Sequence, residues 1–150
     1  MQLLTEHPDQ RALLLEDTSR ITDSIDEFLR LTSPVQALAR TVTKDVNLDG
    51  TIIPAGRKVL LVYGAANRDD RMYGSDAEDL KVLRRPQQIL TFSHGAHHCL
   101  GAAAARIQAR VALEELLSIC PTFDVDIEAV TFAPGNYVRR PTSIPFRSSS

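Results

Sequence analysis

The chain has 150 residues, 43% of them hydrophobic and 24% charged, with a formal net charge of −2. That length suits one modest domain with a real core, and the near-neutral charge argues against nucleic acid or a membrane surface as partner. No run approaches the roughly 20 apolar residues of a bilayer span. The opening residues MQLLTEHPDQ lack the basic start and apolar stretch of a signal peptide, so the expected location is cytoplasmic. Two cysteines, Cys99 and Cys120, are too few for a disulfide framework.

In chain order, PDQRALLLED opens with Pro8 at a favourable first helical position and continues with good helix formers. A second helix is predicted where Ile21, Ile25, Phe28 and Leu29 recur at helical spacing, ending near Ser33 because Pro34 follows. From Arg40, TVTKDVNLDGTII is rich in β-branched residues, and Asp49-Gly50 suits a tight hairpin turn between two short strands. KVLLVY then reads as a buried strand, apolar on both faces. Residues 64 to 91 are polar and irregular, a long connection of the kind that usually has a function.

The helix after Cys99 carries two apolar stripes. Leu100, Ala103, Ala104, Ile107 and Val111 form one, while Ala102, Ala105, Ala109, Ala112, Leu113 and Leu116 form the other. Such a helix is expected to be sandwiched between two layers, with Arg106, Arg110 and Glu114 on the polar strip between them. Beyond Pro121, short strands and turns are predicted, then a disordered RSSS. Cys120 is expected to be a small core residue, and Tyr63, Tyr73 and Tyr137 packing residues.

What Cys99 does is open to three chemistries. A zinc site could draw on His94, His97, His98 and Cys99, but ligands crowded into one loop rarely close a tetrahedron. A nucleophilic cysteine could use a loop histidine as base and helix amides as an oxyanion pocket. Thiolate ligation of haem iron would use the backbone N–H groups and positive potential of the helix start to stabilise an anionic sulfur.

The run Phe92-Ser93-His94-Gly95-Ala96-His97-His98-Cys99-Leu100-Gly101 resembles the haem-binding loop of cytochromes P450 at every specified position. Glu27-Phe28-Leu29-Arg30 is similar to that family's E-x-x-R helix, and it precedes a strand pair, an irregular meander and the cysteine loop in the family's order. Alone, E-x-x-R reads equally well as a surface pair, or as a capping box of Ser24 and Glu27.

By this resemblance the fold is mainly α with small β-sheets (α+β), the C-terminal part of the P450 fold, with residues 1–150 as one partial domain. Cys99 would be the axial ligand of haem b, iron protoporphyrin IX, whose electron donation favours O–O cleavage. Phe92 would shield the sulfur, Gly95 would permit the turn beneath the porphyrin, and Gly101 would let the helix start approach the ring. Arg40 and His97 match propionate-binding positions, whereas Ile89 stands where bacterial relatives often have histidine. Glu27 and Arg30 would form a buried ion pair with Arg84, for which Arg85 is the competitor; their role would be structural. Asn67-Arg68-Asp69 reads as a turn stabiliser, and Arg106 and Arg110 as a solvated strip or the side where an electron donor docks.

The implied activity is insertion of one oxygen atom from O2 into a small organic substrate, with electrons from a ferredoxin or reductase. The alternative is a truncated or degenerate fragment without turnover, which the position of Met1 inside a family helix favours. A complete member is more than twice as long, and its central helix with an acid–threonine pair is not among these residues. One apolar stripe of the last helix should therefore lie uncovered.

Overall fold

In the computed structural model, whose described residues are 1–148, the chain begins with two short helices, α1 (Gln2–Glu6) and α2 (Pro8–Glu16). α1 lies ahead of the helix expected from Pro8. Helix α3 (Arg20–Thr32) ends as Pro34 requires: Ser33 turns left-handed at φ 36° and its amide donates to the Leu29 carbonyl. Its buried residues include Ile21, Ile25 and Leu31 but also Ser24, Glu27 and Arg30, whereas Phe28 and Leu29 are only partly buried. The face that points inward is thus half polar, which apolar periodicity alone does not reveal.

Strand β1 (Leu38–Thr41) pairs antiparallel with β4 (Lys58–Leu61), placing Arg40 opposite Val59. Between them β2 (Val46–Leu48) and β3 (Thr51–Ile53) form the expected hairpin. Asp49 and Gly50 both take positive φ, 48° and 84°, as a tight two-residue turn demands. The expected buried strand KVLLVY is corrected in two respects: β4 stops at Leu61, and Leu60, Leu61 and Val62 are exposed. A two-stranded ribbon has no second layer to cover both faces. Tyr63 is buried, but as the start of α4 (Tyr63–Ala66).

A second single-turn helix, α5 (Asp70–Tyr73), follows, and the chain is then irregular until a 3-10 turn at Gly95–His97. The long helix α6 (Ala102–Ile119) packs against α3. The tail forms two small antiparallel ribbons, β5 (Phe123–Val125) with β8 (Phe146–Ser148) and β6 (Thr131–Phe132) with β7 (Pro141–Ser143). Arg147 and Ser148 are paired in β8, where disorder was expected, because Phe123 and Val125 offer a ladder edge; Ser149 and Ser150 lie outside the described residues.

The core joins Leu4, Leu14, Ile21, Ile25, Leu31, Leu80, Val82, Leu117, Phe123 and Val125, so the N-terminal helices, α3, the irregular segment, α6 and β5 share one interior. Burial of these side chains stabilises the fold by about 1.5–3 kcal/mol each. Cys120 is half-buried at the end of α6, its amide donating to the Leu116 carbonyl, rather than in this core. The architecture is mainly helical with small antiparallel sheets. No helix among the described residues is long and apolar enough to cross a membrane.

Candidate functional site

Glu27 and Arg30, three residues apart on the inner face of α3, are both fully buried. Their planes meet as a fork, Arg30 Nε donating to Glu27 Oε2 at 2.7 Å and Nη2 to Oε1 at 2.9 Å. The remaining Arg30 donors reach the carbonyls of Asn67 at 2.7 Å, Ala77 at 2.6 Å and Asp79 at 3.3 Å. Every N–H of the guanidinium is therefore used, the condition under which a charge can be buried. Glu27 Oε1 also accepts from the Lys81 amide and from Arg84 Nε, both at 3.1 Å. Arg84 in turn donates to the Tyr73 and Asp76 carbonyls, at 2.6 and 2.8 Å, and pairs with Asp76 Oδ1 at 2.9 Å. Arg85 points away, pairs with Asp23 at 2.5 Å and is 77% exposed. The capping box does not form: Ser24 lies inside α3 and its hydroxyl donates to the Ile21 carbonyl.

Asn67 is fully buried and links three segments that sequence reasoning treated separately. Its amide nitrogen donates to Ser33 Oγ at 2.8 Å and Thr91 Oγ1 at 3.1 Å, and its Oδ1 accepts from the Leu90 amide at 2.7 Å. Thr91 Oγ1 itself donates to the Leu29 carbonyl at 2.7 Å. The end of α3 is thereby tied to the strand of chain that delivers the cysteine loop. The polar run Asn67-Arg68-Asp69 was the only signal for this, and it named a turn rather than a buried junction.

The loop itself is closed by its own backbone. The Cys99 amide donates to the Phe92 carbonyl at 2.9 Å, and the His98 amide to the Gly95 carbonyl at 3.0 Å. Between them Ser93 and Gly95 take positive φ, 64° and 71°. A side chain at Gly95 would meet open space, so it is the left-handed backbone, not crowding, that calls for glycine there. Cys99 is exposed and stands two residues before Gly101, the N-cap of α6. A Cβ placed on Gly101 would lie 3.8 Å from Cys99 Sγ, so the absence of a side chain leaves that flank of the sulfur open. The first amides of a helix lack intrahelical acceptors and carry its positive end, which favours an anion nearby.

Beside the loop lies an open cleft of about 360 Å³, lined by Arg40 from β1, Leu61 at the end of β4, Val62 and Tyr63 after it, and Ser93, His94 and His97. Arg40 and His97 thus come from distant parts of the chain to one wall, where the Tyr63 hydroxyl and Ser93 Oγ are 3.1 Å apart. Phe92 has no place among those lining residues; its ring lies under the Arg106 guanidinium at 4.7 Å, and Arg106 pairs with Asp26 at 2.6 and 3.2 Å. Among the described residues no group of three or more His, Cys, Asp or Glu side chains comes together as a metal site. Leu100, just before α6, and Ile107 and Val111 on it are exposed, Leu100 completely, while Ala109, Leu113 and Leu116 pack on the core. The first stripe is the uncovered one; on the second, Ala112 is exposed as well.

The family model "Cytochrome P450" matches residues 20–132. Cytochrome P450 130 of Mycobacterium tuberculosis is 63% identical over 150 residues, all of this chain and 37% of that protein. Steroid C26-monooxygenase of Mycolicibacterium smegmatis is 36% identical over 143 residues, 95% of this chain and 35% of that protein. The solved structure of the tirandamycin C-bound P450 monooxygenase TamI superposes with a TM-score of 0.91 at 35% identity, covering 98% of this chain and 37% of that one. The chain thus spans a little over a third of the length of these relatives, with a partial P450 fold. On this match of sequence and of fold together, the chain belongs to the cytochrome P450 family.

Proposed function

We propose that this chain forms the thiolate-ligating half of the haem site of a monooxygenase. The observation that carries the reading is the placement of Cys99: exposed at the start of α6, with its flank open at Gly101 and a cleft bearing Arg40 and His97 beside the same loop. The residues fit haem b in kind: a soft anionic donor for iron, two cationic or N–H-donating side chains for the propionates, and apolar contacts from Leu61 and Val62 for the ring edge. The cofactor, when bound, supplies activation of dioxygen and the redox chemistry of oxygen insertion into a small organic substrate, using electrons from a ferredoxin or reductase partner.

The chain's own residues then have distinct tasks. Cys99 holds the metal as a thiolate, while the helix start lends it positive potential. Arg40 and His97 orient the group by gripping its carboxylates. Phe92 would shield the sulfur from the loop side once the cofactor is in place, and Gly95 sets the turn that presents it. Glu27, Arg30 and Arg84 hold α3 to the meander, and Asn67 fixes the approach of the loop to that frame. Among the described residues the cleft beside Cys99 is open to solvent, so the isolated 150-residue chain is expected to show no oxygenation.

The test is spectroscopic. The reduced protein under carbon monoxide should give the signature of thiolate-ligated haem, and Cys99→Ala should abolish it; a signature that survives the substitution sinks the reading.

A further inference from the structure

The polar strip of α6 contains an arginine whose contacts are not those of a solvated surface group. Arg106 forms a two-pronged pair with Asp26 of α3, at 2.6 and 3.2 Å, and lays its guanidinium over the Phe92 ring at 4.7 Å. Arg106 lines a second open groove, between α3 and α6, together with Arg85 and Arg110; Arg85 is 77% exposed, and the Arg110 Nε stands 3.7 Å from Glu114. Phe92 is tied to Cys99 through its carbonyl, which accepts the Cys99 amide at 2.9 Å, and it precedes Ser93 in its left-handed conformation. A closed circuit results. α6 carries Arg106, Arg106 holds Phe92, Phe92 holds Cys99, and Cys99 leads back into α6.

We propose that Arg106 is a positioning residue for the cysteine: braced by Asp26, it fixes the Phe92 ring and thereby sets the surroundings of the Cys99 sulfur. A guanidinium held flat by a carboxylate fork has little rotational freedom left, so the aromatic face beneath it is pinned rather than merely attracted. Because the ring belongs to the residue whose carbonyl accepts the Cys99 amide, pinning the ring also holds the backbone hydrogen bond that positions Cys99. Groups one shell out from a metal ligand act in this way on its donor strength.

The test compares Arg106→Leu, Phe92→Leu and the double variant by two readouts. In the haem-loaded protein, Arg106→Leu should shift the equilibrium midpoint potential in the same sense as Phe92→Leu, with the double variant no further displaced than the larger single. In haem-free preparations of the same proteins, the Cys99 thiol should be alkylated several-fold faster in each single variant, again without addition in the double. Arg106→Lys should restore part of both properties, because it keeps the charge over the ring but not the fork. Should Arg106→Leu not fold, Asp26→Asn, which releases the brace, should move both readouts in the same sense by less. Unchanged potential and alkylation, or fully additive effects, overturn the proposal. So does a change confined to partner-dependent electron transfer, which would make Arg106 a docking residue. The potential rests on the haem-thiolate reading above, whereas the alkylation rate does not. A protein that takes up no haem therefore refutes that reading and leaves alkylation to decide this one.

Discussion

The cluster around Glu27 and the loop around Cys99 use charge and polarity in opposite ways. In the cluster two ionised side chains are fully buried and every guanidinium proton of Arg30 has an acceptor. At the loop the key side chain is exposed and the cleft beside it is open. The first region is complete within these residues, so its groups act on one another and their effect is on stability. The second is open, so its groups are exposed to solvent rather than spent on one another. The same difference appears along α6, whose one stripe packs on the core while Ile107 and Val111, with Leu100 just before the helix, face outward.

The comparison breaks most easily at Glu27. Glu27→Ala strands Arg30, and should cost about 3–5 kcal/mol in chemical denaturation, a large part of the stability of any domain. Cys99→Ala should change the same measurement by no more than about 0.5 kcal/mol, as exposed positions do. Equal losses at both positions would show that the two regions do not differ in this way.

Arg84 and Arg85 sharpen it further. Arg84→Ala leaves Glu27 Oε1 and the Tyr73 and Asp76 carbonyls short of a donor, and should destabilise by about 1–3 kcal/mol. Arg85→Ala removes only an exposed pair with Asp23 and should stay within about 0–1 kcal/mol.

The smallest effect is expected from Asp76, at the rim of the cluster. Hydrogen bonds from Lys81 and then Arg84 lower its carboxyl from 3.8 to about 2. A carboxyl that is more acidic folded than unfolded stabilises fully above its unfolded value, and the contribution fades as pH falls toward and through the folded one. Asp76→Asn should therefore lose a little stability at neutral pH and flatten the acid-unfolding profile between about pH 4 and about pH 2. An unchanged profile would show that these contacts do not persist in solution.

Much of this was legible beforehand because the relevant signals are local. Pro8, Pro34 and Asp49-Gly50 mark element boundaries through backbone sterics, which act over two or three residues. The cysteine loop is ten contiguous residues, and its glycine and helix start can be read without knowing what surrounds them. KVLLVY misled for the complementary reason: an apolar strand says that its side chains avoid water, not which element covers them, and in this chain β1 offers only an edge. A helical wheel puts Arg106 on a polar strip, solvated or turned toward an electron donor, because it knows nothing of Asp26 or Phe92.

What the sequence determined by itself, then, was the three longer helices α2, α3 and α6, the Asp49-Gly50 turn, the cysteine at a helix start, and the spacing that puts Glu27 and Arg30 on one face of α3. Only the tertiary structure decided that this pair is buried, that Arg84 rather than Arg85 joins it, that Asn67 ties α3 to the cysteine loop, and that Arg40 and His97 share a wall. The physical reason is range. Backbone preferences and helical spacing act between near neighbours, whereas burial and hydrogen-bond satisfaction depend here on partners 23 to 57 residues away along the chain, and nothing in a local pattern specifies which of two adjacent arginines will reach them.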